Sequence, residues 1–304
     1  MLKRLKICDG KLCECADGEA LVFVYVAPDE SEKKYLVEEL KIDEHTLLSS
    51  LDPDELSRLE FEPEHVAMIL KQPKHYAPQD EFLFRVLSTG VFIFKDKLII
   101  VVGEDAPLFE GKPFIKLQSI YDIFLRLIYR SIAHFLEHLR AIHQISNELE
   151  HQINVSMGNK YLLNLFTLEK SLVYYLKAIH SNGVLIDKLK NNSAKIGFSQ
   201  ENIEFLDDMY IENNQCIQQT EILSQVLASL MDARASLISN NLNIRIKALT
   251  LITIAIMLPT LVVSLFSMNV TIPLSERSYA FWIIFALALA SSCTVGFLWW
   301  RRKW

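Results

Sequence analysis

A chain of 304 residues has room for about two ordinary domains, and 51% of it is apolar. A formal charge of −6, with no basic stripe, argues against nucleic acid as a partner. Five cysteines include Cys8, Cys13 and Cys15 in a C-x4-C-x-C pattern that matches no zinc spacing and reads as reduced structural thiols.

The N-terminal stretch MLKRLKICDGKLCECADGEA has no long apolar core, so no signal peptide is expected. Residues 1–115 then mix strand and helix signals. ALVFVYVAP reads as a strand, and SEKKYLVEEL as a helix with Ser31 as its N-cap. DPDELSRLE resembles a capped, solvated helix start. VFIFKDKLIIVV, residues 91–102, is two β-rich runs around a charged turn and predicts a hairpin. No Gly-rich phosphate loop appears.

From about residue 116 the apolar period becomes helical. IYDIFLRLIYRSIAHFLEHLRAIHQISNELEHQI is one long candidate, and residues 160–190 are a second. HFLEH, residues 134–138, fits the H-x-x-E-H zinc pattern, with His143 nearby. Such a pattern arises easily in a polar helix, and no substrate cleft accompanies it. His75, His151 and His180 read as surface residues. No nucleophile–base constellation emerges, so an enzyme is not expected. Residues 198–258 contain no glycine or proline over 61 positions, a helix of about 90 Å that calls for a bundle or an oligomer.

Residues 248–268 and 279–300 carry no charge, and each can cross roughly 30 Å of hydrocarbon. Arg245 and Lys247 precede the first run, and Arg301, Arg302 and Lys303 follow the second. The short connector holds one arginine, which predicts cytoplasmic ends and an outside loop, 269–278. Tyr279, Trp282, Trp299 and Trp300 fit interfacial belts.

Inside the first run the polar residues Thr250, Thr253, Thr260, Ser264 and Ser267, with Met257, repeat at spacings of three and four. Serine and threonine often bond back to their own helix or let helices pack closely. The line nevertheless continues toward the N-terminus through Leu249, Ile246, Asn243, Ser239, Ser236 and Asp232. A polar seam of this period, broken by a few apolar positions, suits a gated aqueous pore on an oligomer axis. Asp232 would gather cations at one mouth. Leu249 and Met257 would form dewetting gates, and Asn269 would crown the other mouth. Neutral oxygens suit magnesium, which releases its waters reluctantly.

PTLVVSLFSMN, followed by a short loop, an aromatic-flanked second run and RRKW, resembles the CorA family of magnesium and cobalt transporters. That family's signature at this point is Gly-Met-Asn; here it is Ser267-Met268-Asn269. The resemblance extends without a gap from about Asp207. SRLEFEPEHVAMIL and VFIFKDKLIIVVGE look like segments of the family's cytosolic domain. It implies an α+β membrane protein: a cytosolic α/β domain (1–115), a helical stalk (116–243) and two transmembrane helices (244–304), assembled as a funnel-shaped homopentamer. It also implies passive entry of hydrated divalent cations across a bacterial inner membrane, with no cofactor beyond Mg²⁺ as transported and regulatory ion. Zn²⁺, Co²⁺ and Ni²⁺ are alternative cargoes.

By position, the resemblance assigns Ser267, Met268 and Asn269 to the selectivity filter. It assigns Asp232, Asn243, Ile246, Leu249, Thr250, Thr253, Met257, Thr260 and Ser264 to the pore lining. Asp208 falls at an intersubunit regulatory metal site. Ser267 replaces the signature's glycine, and the outer loop TIPLSER keeps only Glu276 to attract cations. A zinc transporter of the same superfamily, of the kind called ZntB, is the near alternative. A membrane-anchored assembly protein that conducts nothing is the alternative from another class.

Overall fold

The computed structural model describes residues 1–15, 18–76, 81–155, 159–268 and 279–302. They form two compact units, Met1–Met231 and Asp232–Trp304. The helices from residue 116 to Met231 thus belong to the same compact unit as the sheet.

Seven strands make one sheet in the first unit: β1 (Leu2–Cys8), β2 (Lys11–Glu14), β3 (Val22–Val26), β4 (Arg58–Phe61), β5 (Val66–Pro73), β6 (Val86–Ile93) and β7 (Leu98–Val102). Their order is β2-β1-β3-β7-β6-β5-β4, with β3 and β7 parallel and the other neighbours antiparallel. The predicted hairpin is β6–β7, closing from Ile93 opposite Leu98. Every residue of β7, LIIVV, is buried, because both faces of the sheet are covered. Val22, Val24, Leu98 and Ile100 face the long helices, with Phe124 and Ile128. Tyr25, Ile99 and Val101 face Leu36 of α1 (Glu30–Glu38) and Leu47 of α2 (Glu44–Ser49).

Two local expectations need correction. The cap of α1 is Asp29, not Ser31: the Asp29 carboxylate accepts from Glu32 N at 2.8 Å, and Glu32 reaches back to Asp29 N at 3.1 Å. Two orphan amides are satisfied together by this box, which Ser31 inside the helix cannot achieve. DPDELSRLE does not start a helix. Asp52 closes a turn on Asp54 N at 2.8 Å, and Arg58–Phe61 pair with Val66–Ile69 as β4. A sheet partner outweighs the local capping pattern.

The covering helices are α3 (Ile120–Val155), α4 (Asn159–Asn191), the one-turn α5 (Ser193–Ile196) and the first part of α6 (Gln200–Phe266). Within this unit α6 buries Leu206, Met209, Asn213, Cys216, Thr220, Leu223 and Leu227, at alternating spacings of three and four. Several of them pack among Leu139 of α3 and Leu172, Tyr175 and Ile179 of α4. Gly183 of α4 permits the approach of α6: a Cβ there would lie 2.9 Å from Asn213 Nδ2.

A polar clamp fastens the helices to the sheet. The Asn182 side chain on α4 accepts from Lys71 N at 3.0 Å and donates to Lys71 O at 2.8 Å. It thereby completes a backbone pair on β5 that no neighbouring strand serves there. Ser131 of α3 donates to the same carbonyl at 2.6 Å, and Ser57 donates to Asn182 Oδ1 at 2.6 Å.

The second unit holds α6 from Asp232 onward and α7 (Ala280–Arg302). Both helices are long and apolar enough to cross a membrane. Pro259 lies inside α6 without ending it, although it withholds one ladder donor.

Candidate functional site

The second unit divides α6 into two faces. Leu251, Ala255, Leu258, Val262 and Phe266 are half-covered, at spacings of four and three. On α7 the covered positions Ile284, Ala288, Ser291 and Val295 repeat in the same way, with Ala288 buried. Thr250, Thr253, Met257, Thr260, Ser264 and Ser267 stand about half a turn round α6 from its covered face, at ~100° per residue. All six are exposed.

Four of the hydroxyls on this line turn their protons inward. Thr250 Oγ1 donates to Ile246 O at 2.8 Å, Thr253 Oγ1 to Leu249 O at 2.9 Å and Thr260 Oγ1 to Ile256 O at 2.6 Å. Ser267 Oγ donates to Ser264 O at 3.0 Å. A hydroxyl whose proton is committed to its own helix offers outward only lone pairs. The line therefore presents acceptors, the polarity that suits water around a cation.

Leu249 at 65% and Met257 at 63% exposure interrupt these acceptors with apolar side chains, as does the exposed Ile246. Asn243 and Asp232 are exposed on the same helix toward its N-terminal side, and Met268 is exposed after its end. Asn269 and Glu276 lie outside the described residues.

Asp208 is exposed on the first-unit part of α6. One turn on, burial raises the Glu212 carboxyl above its ordinary range, and the Asp208 charge adds to this. Burial also raises the Tyr129 phenol, with Glu212 and then Asp208 adding to the effect. Asp207 pairs with Lys190 at 2.5 Å. Among the described residues no three His, Cys, Asp or Glu side chains are gathered so as to hold a metal ion.

The HFLEH histidines are not on a solvated face. His134 and His138 are buried with ring centroids 4.4 Å apart, and the exposed His75 lies 4.7 Å from His134. His138 Nδ1 is 2.6 Å from Tyr175 Oη. Burial pulls His134 down to about 3 and His138 down to about 4, so both are neutral core imidazoles near pH 7. Sequence reasoning missed the Lys71–Asn182 clamp, which joins residues 111 positions apart.

The family described as CorA-like Mg²⁺ transporter protein matches residues 21–303. The cobalt/magnesium transport protein CorA of Methanocaldococcus jannaschii is 25% identical over 288 residues, covering 91% of this chain and 89% of that protein. The complete structure of the CorA magnesium transporter from Methanocaldococcus jannaschii superposes with a TM-score of 0.80 at 19% identity, covering 99% of this chain and 96% of that one. The full-length CmaX protein superposes with a TM-score of 0.76 at 14% identity, covering 100% and 98%. The ZntB cytoplasmic domain from Vibrio parahaemolyticus reaches a TM-score of 0.60 at 13% identity, covering 78% and 98%.

Proposed function

The chain belongs to the CorA family of divalent cation transporters, and from that premise we propose that it admits Mg²⁺ passively through a pore on the axis of a homopentamer. The exposed acceptor line of α6, about half a turn from that helix's half-covered positions, is the observation that carries this proposal. Repeated around an axis, Thr250, Thr253, Thr260 and Ser264 form rings of lone pairs that hold a hydrated cation through its waters. Rings of Leu249 and Met257 close the path by excluding water. Asp232 concentrates cations at the inner mouth, with Asn243 and Ile246 between. Ser267, Met268 and Asn269 form the outer filter, and Glu276 in the outer loop attracts incoming ions.

Asp208 takes part in an intersubunit metal site that favours the closed state when occupied by Mg²⁺. The membrane is a bacterial inner membrane, with both termini in the cytoplasm. The divisions 1–115, 116–243 and 244–304 correspond to a cytosolic α/β domain, a helical stalk that carries Asp208, and the conducting transmembrane part.

The test is ion uptake by liposomes holding the full-length protein. Thr253→Val removes a lone-pair ring while keeping the side chain's shape, and should lower Mg²⁺ flux several-fold. Asn269→Ala should do the same. Flux unchanged in both variants would place the line against lipid and end the pore assignment. Parallel assays with Co²⁺, Ni²⁺ and Zn²⁺, with and without a pH gradient, identify the cargo. Zn²⁺ uptake that follows the proton gradient and exceeds Mg²⁺ uptake would favour the ZntB-like alternative.

A further inference from the structure

β1 and β2 are joined by the two-residue turn Asp9-Gly10, both with positive φ (50° and 75°). This is the hairpin turn that an Asp-Gly pair favours. Its register sets Lys6 opposite Cys13 and Cys8 opposite Lys11. Leu5, Ile7 and Leu12, on the alternate positions, belong to the core. Cys8 and Cys13 therefore lie diagonally across the other face, with Lys6 and Lys11 beside them. Cys13 is exposed and Cys8 half-buried. Burial, and then the neighbouring Cys13 thiol, raise the Cys8 thiol above its ordinary value.

The turn also touches the approach to α3. Leu117 N donates to Gly10 O at 2.9 Å, and a Cβ on Gly10 would stand 3.0 Å from Lys116 Cα. Lys116 itself holds a positive φ of 64°. A few residues later Asp122 accepts from Gln118 N and Ser119 N at 2.9 and 3.0 Å, capping the start of α3. Hairpin, latch and helix start form one hydrogen-bonded series.

We propose that Cys8 and Cys13 are a thiol-modification site, oxidised by a small-molecule disulfide of the glutathione class into a staple across the β1–β2 hairpin. The exposed Cys13 sulfur, as thiolate, attacks one sulfur of the small disulfide. That S–S bond breaks, and one small thiol leaves with a proton. The Cys8 sulfur then gives up its proton and attacks Cys13 Sγ, forming the Cys8–Cys13 bond and expelling the second small thiol. The protein loses two electrons and two protons, and the small disulfide gains both. Lys11, across from Cys8, offers a cation to the carboxylates of such a disulfide. The staple closes the hairpin immediately behind the Gly10–Leu117 latch and so stiffens the entry to α3.

The experiment equilibrates the full-length protein in detergent with glutathione buffers from fully reduced to fully oxidised, then traps free thiols by alkylation and maps them by mass spectrometry. Cys8 and Cys13 should become protected together in one transition, with the loss of two hydrogens, while Cys15, Cys216 and Cys293 stay alkylated. Cys15→Ser should leave that transition in place, and Cys13→Ser should abolish the internal disulfide. Hydrogen exchange in the peptide containing Leu117 should slow several-fold on oxidation. Cys8 and Cys13 still alkylated in the most oxidising buffer, or a disulfide through Cys15 instead, would overturn the proposal. Equal exchange at Leu117 in the two states would overturn its link to α3.

Discussion

Lys71, with its buried ammonium, offers the sharpest test of the charge balance under the sheet. It is 3% exposed, yet its Nζ meets oxygens of the main chain and of a hydroxyl: Pro53 O at 2.7 Å and Ser88 Oγ at 2.6 Å. Burial pulls its pKa from 10.5 to about 8, opposed by the charge of Asp52 and assisted by Lys177. Between those two values the unfolded chain holds a proton that the folded chain does not, so stability rises as pH climbs from about 8 toward 10.5. Below 8 the cost of burying the ammonium is fully present. The interval corresponds to ~3 kcal/mol, which solvent near Lys177 and Asp54 screens toward ~2 kcal/mol. Lys71→Met should abolish this slope. Near pH 7 its net effect should be small, because losing the buried charge offsets the acceptor left bare at Pro53, itself about 1–3 kcal/mol. Urea unfolding followed by limited proteolysis, on parent and variant at pH 7 and pH 10, gives the difference. A difference that does not change with pH would refute the lowering of the Lys71 pKa by burial in the fold.

Gly183→Ala places a methyl 2.9 Å from Asn213 Nδ2 and should destabilise the first unit by about 1–3 kcal/mol, read as a lower unfolding temperature. Adding Asn213→Ala should recover much of that loss, and no recovery would mean that the contact is not the cause. Burial holds His134 near 3 and His138 near 4, below the ordinary 6.5, so protonation favours the unfolded chain. Stability should be intact above 6.5 and fall as pH drops from there toward 4 and 3. His138→Gln should flatten part of that acid limb in a pH series of thermal melts, and an unchanged limb would exclude His138. Tyr175→Phe removes the 2.6 Å partner of His138 Nδ1 and should cost about 1 kcal/mol by chemical denaturation, whereas an unaltered midpoint would mean that water replaces it.

What the sequence made legible was short-range or compositional. The β6–β7 hairpin announces itself by two β-rich runs around Lys95-Asp96-Lys97, and the two apolar helices by their missing charges. Where one residue type fits two jobs, local reading failed. Asp29 and Ser31 are both good caps, and only Glu32 decides between them. DPDELSRLE carries a capping pattern that β5 overrides from several residues away. The Asn182–Lys71 clamp joins residues 111 positions apart, so no local signal reports it.

The same limit bears on the candidate pore. Polar residues at spacings of three and four occur twice on α6, and the repeat alone does not say which set would face an axis. Thr220 sits on such a repeat, buried, with its hydroxyl donating to Cys216 O at 2.7 Å. Thr253 makes the same back-bond at 2.9 Å, but exposed. Their local chemistry is nearly identical, so what differs is the surroundings: α3 and α4 consume the surface around Thr220, whereas no described residue covers Thr253. A bare acceptor oxygen in hydrocarbon gains nothing from lipid, while one on a water-filled axis gains a partner. The energetic asymmetry between those two fates is what supports the proposed meeting of α6 with its own copies along this line. Thr253→Val removes the asymmetry at a single position without disturbing the covered seam.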